Sequence, residues 1–90
     1  MRKRDRLEII HDILKTIQEK GANVKPTHIL YKSNLSHQML TEYMTELING
    51  KFIEEKIKDG KKQYILTPKG YNYLKDYDTI KGFLDSYGLN

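Results

Sequence analysis

Cysteine is absent from the 90 residues, proline occurs only twice, and no apolar run approaches the roughly 20 residues that cross a bilayer. Without cysteine there is no disulfide framework and no thiolate metal ligand. Histidine is equally sparse. His11, His28 and His37 lie 17 and 9 residues apart, which matches no ligand spacing of the HExxH kind, and no glycine-rich phosphate loop occurs. No constellation of nucleophile, base and orienting group stands out either, so the expectation is a protein that is not an enzyme, with no catalytic residues, no metal and no cofactor. Nor does the sequence carry a signal for a small-molecule ligand. The opening "MRKRDRLEII" is charged and then amphipathic, unlike the apolar core and small-residue cleavage site of a secretory signal. A soluble, cytoplasmic chain with no membrane partner is expected.

What the sequence does have is positive charge, unevenly placed. The formal net charge is +4; up to Lys69 there are 14 Lys/Arg against 9 Asp/Glu, and from Gly70 onward 2 against 3. Basic residues cluster in "RKRDR" at 2–6 and "KDGKK" at 58–62. Such a bias favours polyanionic partners. The length allows one small domain, which buries only about 60–65% of the surface its unfolded chain exposes.

Hydrophobic periodicity and capping signals divide the chain. Leu7, Ile10, Leu14 and Ile17 recur at helical spacing, with Ile13 widening the stripe, Asp5 positioned to cap and Gly21 to stop the helix. A second, short helix starts at Pro26 or Thr27, turns Ile29 and Leu30 inward, and uses Ser33 for a close helix crossing before Asn34 makes a left-handed turn. Ser36 caps a third helix whose buried face is Leu40, Met44, Leu47 and Ile48 with Tyr43 alongside, ended by Gly50. Asp59-Gly60 is a strong two-residue hairpin signal. It pairs Lys58 with Lys61, Ile57 with Lys62, Glu55 with Tyr64 and Ile53 with Leu66, so that Ile53, Ile57, Tyr64 and Leu66 share one face. Thr67-Pro68 opens a last helix, on which Tyr73, Tyr77, Ile80, Leu84 and Tyr87 step by 4, 3, 4 and 3 residues, the spacing of a coiled-coil seam.

This order of elements predicts an α+β, mostly α fold: a winged helix-turn-helix with a three-helix body, a two-stranded β-hairpin wing and a C-terminal dimerisation helix. Residues 1–67 would form the DNA-binding domain and 68–90 the dimerisation element. The stretches "RLEIIHDIL", "THILYKSNLS" and "FIEEKIKDGKKQYILTPKG" resemble the archaeal winged helix-turn-helix family of small basic DNA-binding proteins, which includes the dimeric ten-kilodalton chromatin proteins of thermoacidophilic archaea and related regulators. The resemblance covers roughly residues 4–75. It implies dimerisation through an antiparallel coiled coil of the C-terminal helices, although the last helix here is shorter and rich in tyrosine.

A helix that enters the major groove must present groups able to donate and accept hydrogen bonds at base edges. Ser36, His37, Gln38, Thr41 and Thr45 are the candidates for base contacts. Phosphate contacts supply most of the affinity in such complexes. Arg2, Lys3, Arg4, Arg6, Lys32, Lys58, Lys61 and Lys62 are the candidates for these. Glu42 and Glu46 on the same helix repel phosphate, and no arginine is there to grip guanine. The expected function is a homodimeric, nucleoid-associated protein that binds double-stranded DNA as a transcriptional regulator. The alternatives are a non-specific architectural chromatin protein and a winged-helix module that binds another protein.

Overall fold

A computed structural model of the chain describes residues 5–89. Helix α1 spans Arg6–Lys20 and is followed by a 3-10 turn over Gly21–Asn23. Helices α2 (Pro26–Ser33) and α3 (His37–Asn49) come next, then strands β1 (Ile53–Lys58) and β2 (Lys61–Leu66), and finally α4 (Pro68–Ser86). The winged helix-turn-helix read from the sequence is the fold observed.

Local chemistry starts each long helix where the sequence indicates. The Asp5 carboxylate accepts from the Glu8 N–H at 2.8 Å, the Ser36 hydroxyl from Met39 at 3.2 Å and the Thr67 hydroxyl from Gly70 at 3.2 Å. Each satisfies one of the orphan donors of a helix N-terminus. Asn34 takes the left-handed conformation, with φ of 53°, that turns α2 into α3.

The core is an isoleucine and leucine cluster. Ile13, Leu14, Ile17, Ile29 and Ile53 are fully buried, and Ile9, Ile10, Val24, Leu40, Leu47 and Leu74 join them. Ser33 is fully buried as well, its small side chain fitting where helices crowd. Met44, Ile48, Tyr43, Leu30 and Leu35 are half-buried around this centre. One member of the predicted α1 stripe departs from it: Leu7 is 58% exposed, because it precedes the first core-facing turn and lies beside the free end of α4.

The antiparallel hairpin has the predicted register, from Ile53 opposite Leu66 to Lys58 opposite Lys61. Asp59 and Gly60 both have positive φ, 52° and 75°, as a two-residue turn that matches strand twist requires. Ile57 shares the inner face of the hairpin by register yet is 72% exposed. The strands outrun the body, so only the root of the wing has anything to cover it. The end of α3 also differs from expectation. Gly50 is right-handed, with φ of −79°, and Lys51 takes the left-handed conformation at 67°. Gly50 is there for space: a Cβ would stand 3.1 Å from the Phe52 ring and 3.2 Å from the Glu46 carbonyl.

Helix α4 leaves the body part-way along its length. Leu74 is in the core, the Tyr73 hydroxyl donates to the Leu7 carbonyl at 2.9 Å, and Tyr77 stacks on His11 with ring centroids 4.3 Å apart. From Asp78 to Leu89 every residue is exposed.

Two glycines of α4 give opposite expectations. A Cβ at Gly70 would lie 2.4 Å from the Phe52 carbonyl oxygen, whereas one at Gly82 meets nothing within 4 Å. Gly70→Ala therefore destabilises by about 1–3 kcal/mol through overpacking, and Gly82→Ala stabilises by about 0.5–1 kcal/mol through helix propensity, both read from urea unfolding. Burial, the neighbouring Tyr77 phenol and the Asp5 carboxylate push the pKa of Tyr73 up to about 12, against a weaker opposing pull from Arg6. The unfolded chain loses this proton near pH 10 and the folded chain two units later, so stability contributed by the neutral phenol drains away between pH 10 and 12. Thermal melts of Tyr73→Phe should lack that part of the alkaline decline, and the variant should be less stable near neutrality by about 0.5–1.5 kcal/mol for the lost hydrogen bond.

Candidate nucleic-acid interface

Helix α3 buries Leu40 and Leu47 and turns the opposite side to solvent. Gln38, Glu42, Thr45 and Asn49, spaced by 4, 3 and 4 residues, form one exposed ridge along it. The ridge has two flanks of different chemistry. Towards the wing, Thr41 and Thr45 border a cleft of about 310 Å³ with Met44, Ile48, Tyr64 and the Glu55–Lys62 pair. Towards α1, the guanidinium of Arg6 is paired with the Glu46 carboxylate and lies 5.5 Å above the centre of the Tyr43 ring. Thus α3 stands between a basic hairpin and the start of α1, with its ridge unobstructed.

The residues read as base contacts gather on this helix. Ser36, His37, Gln38, Thr41 and Thr45 are all exposed at its first two turns and along its wing side. Ser36 spends one lone pair on its own helix as the cap, and the Thr41 hydroxyl donates to the His37 carbonyl at 2.9 Å. What Thr41 offers a base is therefore a methyl group and oxygen lone pairs. The Gln38 amide donates to Glu42 at 3.4 Å, which leaves its carbonyl oxygen and one N–H.

Cations divide into those used by the fold and those left to solvent. Lys58 faces Lys61 across the wing tip, and Lys62 reaches Glu55 at 3.5 Å while remaining well exposed. Lys32 is exposed at the end of α2. Arg6 is engaged with Glu46 and Tyr43 as described, and Arg2, Lys3 and Arg4 lie outside the described residues. Lys69 is tied to the Gly50 carbonyl at 2.8 Å and stands 4.5 Å above the Phe52 ring. The residues read as a dimer seam are divided likewise. Tyr73 and Tyr77 pack on the same chain, while Ile80, Leu84 and Tyr87 are exposed, as are Phe83, Leu89 and Leu7. Leu7, Tyr77, Ile80, Leu84 and Leu89 line a shallow cleft of about 160 Å³.

Sequence reasoning passed over Asn49, the last member of the α3 ridge. Continuing the exposed spacing through the final turn would have found it. It also treated Glu42 and Glu46 alike, although only Glu46 has a cation to answer it among the described residues. No group of side chains suited to a metal ion occurs among the described residues, and no helix there is long and apolar enough to cross a membrane.

A tight turn between α2 and α3, an exposed α3 and a hairpin beside it define the helix-turn-helix class with a wing. The sequence matches the winged helix-turn-helix family over residues 3–84, and the protein belongs to that family. It is 36% identical over 78 residues to an uncharacterized protein of the archaeon Methanocaldococcus jannaschii, covering 87% of this chain. The match takes in 34% of that relative, so the chain spans about a third of its length. Among solved structures, it superimposes on Sso10a-2, a DNA-binding protein from Sulfolobus solfataricus, with a TM-score of 0.73 and 22% identity, over 94% of this chain and 90% of the other. It is similar to BpsR of Bordetella bronchiseptica, whose DNA binding is regulated by 6-hydroxynicotinic acid, with a TM-score of 0.72 and 11% identity over 88% and 61% of the two chains. For F-93 of SSV1 the TM-score is 0.61 at 19% identity, over 83% and 91%. At these identities the three likenesses are of fold. They agree with the winged-helix fold read from the sequence.

Proposed function

We propose that the protein is a double-stranded DNA-binding transcriptional regulator that works as a homodimer, with α3 in the major groove and the wing on the phosphate backbone. The observation that carries this reading is the exposed ridge of hydrogen-bonding side chains on α3 beside a hairpin whose tip brings Lys58 and Lys61 face to face. Like charges directly opposite each other repel, and a phosphate between them turns that repulsion into attraction. The described DNA-binding character of Sso10a-2 and BpsR, which share the fold, supports the same reading.

In this arrangement Ser36, His37, Gln38, Thr41 and Thr45 meet base edges. Thr41 and Thr45 suit the methyl of thymine, and Gln38 suits adenine. Lys32, Lys58, Lys61 and Lys62, with Arg2, Lys3 and Arg4 from the N-terminal segment, meet phosphates, whereas Arg6, expected among them from the sequence, is held by Glu46 and Tyr43. About four such contacts per subunit give a slope of log affinity against log salt near −7 for a dimer. A mobility-shift titration across salt tests this. Replacing Lys61 and Lys62 with glutamate should weaken binding about equally on all sequences and flatten the slope. An unchanged slope in that variant, or wild-type binding that ignores salt, would refute the assignment.

The second subunit enters through α4. Ile80, Phe83, Leu84 and Tyr87 form an apolar face too large and too continuous to be left in water by one short helix. Pairing two such faces about a two-fold axis buries them and sets the α3 helices about 34 Å apart, one turn of the duplex, or at a multiple of that. Carboxylates placed there cannot be desolvated cheaply. Sedimentation of the Ile80→Asp/Leu84→Asp variant should give a monomer with weakened DNA affinity, and an unchanged mass would sink this interface.

A further inference from the structure

We infer that Glu42 is a specificity-determining residue, selecting an amino-bearing base, cytosine first, at one position of each half-site. This rests on the reading of α3 as the groove helix and goes on to say what that helix demands of the sequence.

Position is the first reason. Glu42 lies in the middle of the Gln38–Glu42–Thr45–Asn49 ridge, so a helix that presents Gln38 and Thr45 to bases carries Glu42 into the groove with them. The absence of an ion pair to it among the described residues is the second. Glu46, one turn further on, is held by Arg6 against Tyr43, whereas among the described residues the partner of Glu42 is the neutral amide of Gln38 at 3.4 Å. A carboxylate brought into the partly dehydrated major groove with only one long bond from a neutral amide keeps most of its lone pairs unanswered, which is costly unless a base supplies a further donor.

The major groove offers few donors. Guanine shows N7 and O6, and thymine shows O4, all acceptors; the exocyclic amino groups of cytosine and adenine are the donors on base edges. Adenine sets an acceptor, N7, beside its amino group, and a carboxylate has no hydrogen to give it. Cytosine has the amino group without that neighbour. A carboxylate therefore ranks cytosine above adenine and both above guanine and thymine. Gln38 reinforces the choice on the adjoining base. With one N–H directed to Glu42, it keeps a carbonyl acceptor and a single donor, the pair that adenine N6 and N7 require.

Glu42 thus contributes mainly by rejection. It lowers affinity for most sequences through repulsion from phosphate and unpaired burial, and it spares those with an amino group in the right place. Such a residue suits a selective regulator and handicaps a general coating protein.

The test is selection of bound duplexes from a random pool, using the full chain as wild type, Glu42→Ala and Glu46→Ala, with affinities for single sites measured afterwards. The wild type should enrich cytosine at one fixed position per half-site, with about fivefold or greater preference over guanine or thymine. Glu42→Ala should bring that preference to within about twofold while raising affinity for unrelated duplexes at low salt. Glu46→Ala should keep the cytosine. A wild-type pool without that cytosine, a preference that survives Glu42→Ala, or one lost equally in Glu46→Ala would each overturn the inference and leave DNA binding standing. If the wild type retains no duplex even at about 50 mM salt, the DNA-binding reading itself fails and takes this inference with it.

Discussion

The joint between residues 50–52 and 67–70 holds α3, the hairpin and α4 together. Here α3 ends, β1 begins, β2 ends and α4 starts, all within a few residues of contact. The Phe52 N–H donates to the Leu47 carbonyl at 2.9 Å, and the Phe52 carbonyl accepts from Thr67 at 3.1 Å. Thr67 also relays: its hydroxyl donates to the Lys51 carbonyl and accepts from Gly70, joining the turn after α3 to the cap of α4. Lys69 closes the joint from outside by binding the Gly50 carbonyl and covering the Phe52 ring, and Tyr73 meets that ring edge-on at 6.1 Å. Since hairpins of two strands are marginal by themselves, the angle of the wing to α3 depends on this root and on the packing of Tyr64 and Leu66 against the core. A DNA duplex that touches both must accept the angle the joint imposes.

Charge is used differently across these elements. Arg6 and Lys69 are bound within the fold, where they position α1 and the joint against α3. The wing lysines and Lys32 face water, and the repulsion between Lys58 and Lys61, opposite each other at the tip, is what an anion there would relieve. Between them the α3 ridge bears no cation, only two amides, a hydroxyl and a carboxylate. In the proposed reading, attraction and discrimination fall to separate elements: the hairpin lysines suit a polyanion, and the helix has groups suited to judge its sequence.

Much of the fold is legible from the sequence because its signals are local. The caps Asp5, Ser36 and Thr67, the left-handed Asn34 and the Asp59-Gly60 turn each depend on a few neighbouring residues, and each is found where local chemistry puts it. Departures occur where distant parts meet. The exposure of Leu7 and Ile57 depends on how far the body extends, which periodicity does not encode. The right-handed Gly50 follows from Phe52 folding back beneath it, and the pairing of Arg6 with Glu46 joins residues forty apart in sequence. For the candidate site, the exposed polar character of α3 and the basic tip were visible. The central place of Glu42 on the exposed ridge was not, because which exposed residues are central depends on the wing standing to one side and α1 to the other.

In the proposed dimer, helix α4 connects these properties to assembly. Its first half is clamped by Leu74, by the Tyr73 bond to Leu7 and by the stack of Tyr77 on His11, with His11 between the Asp12 and Asp78 carboxylates, 3.4 Å from each. Its second half projects with its apolar residues uncovered, and Gly82 in the middle of that stretch lowers its intrinsic helix propensity. A helix too weak to persist alone and too apolar to be left in water is best ordered by a partner surface. In a two-fold pair built on it, the clamped half fixes each head relative to its own α4 and the free half fixes one α4 relative to the other. Half-site spacing is then a property of the tail, and base preference a property of the ridge. The two can then vary independently as long as the joint between them is kept.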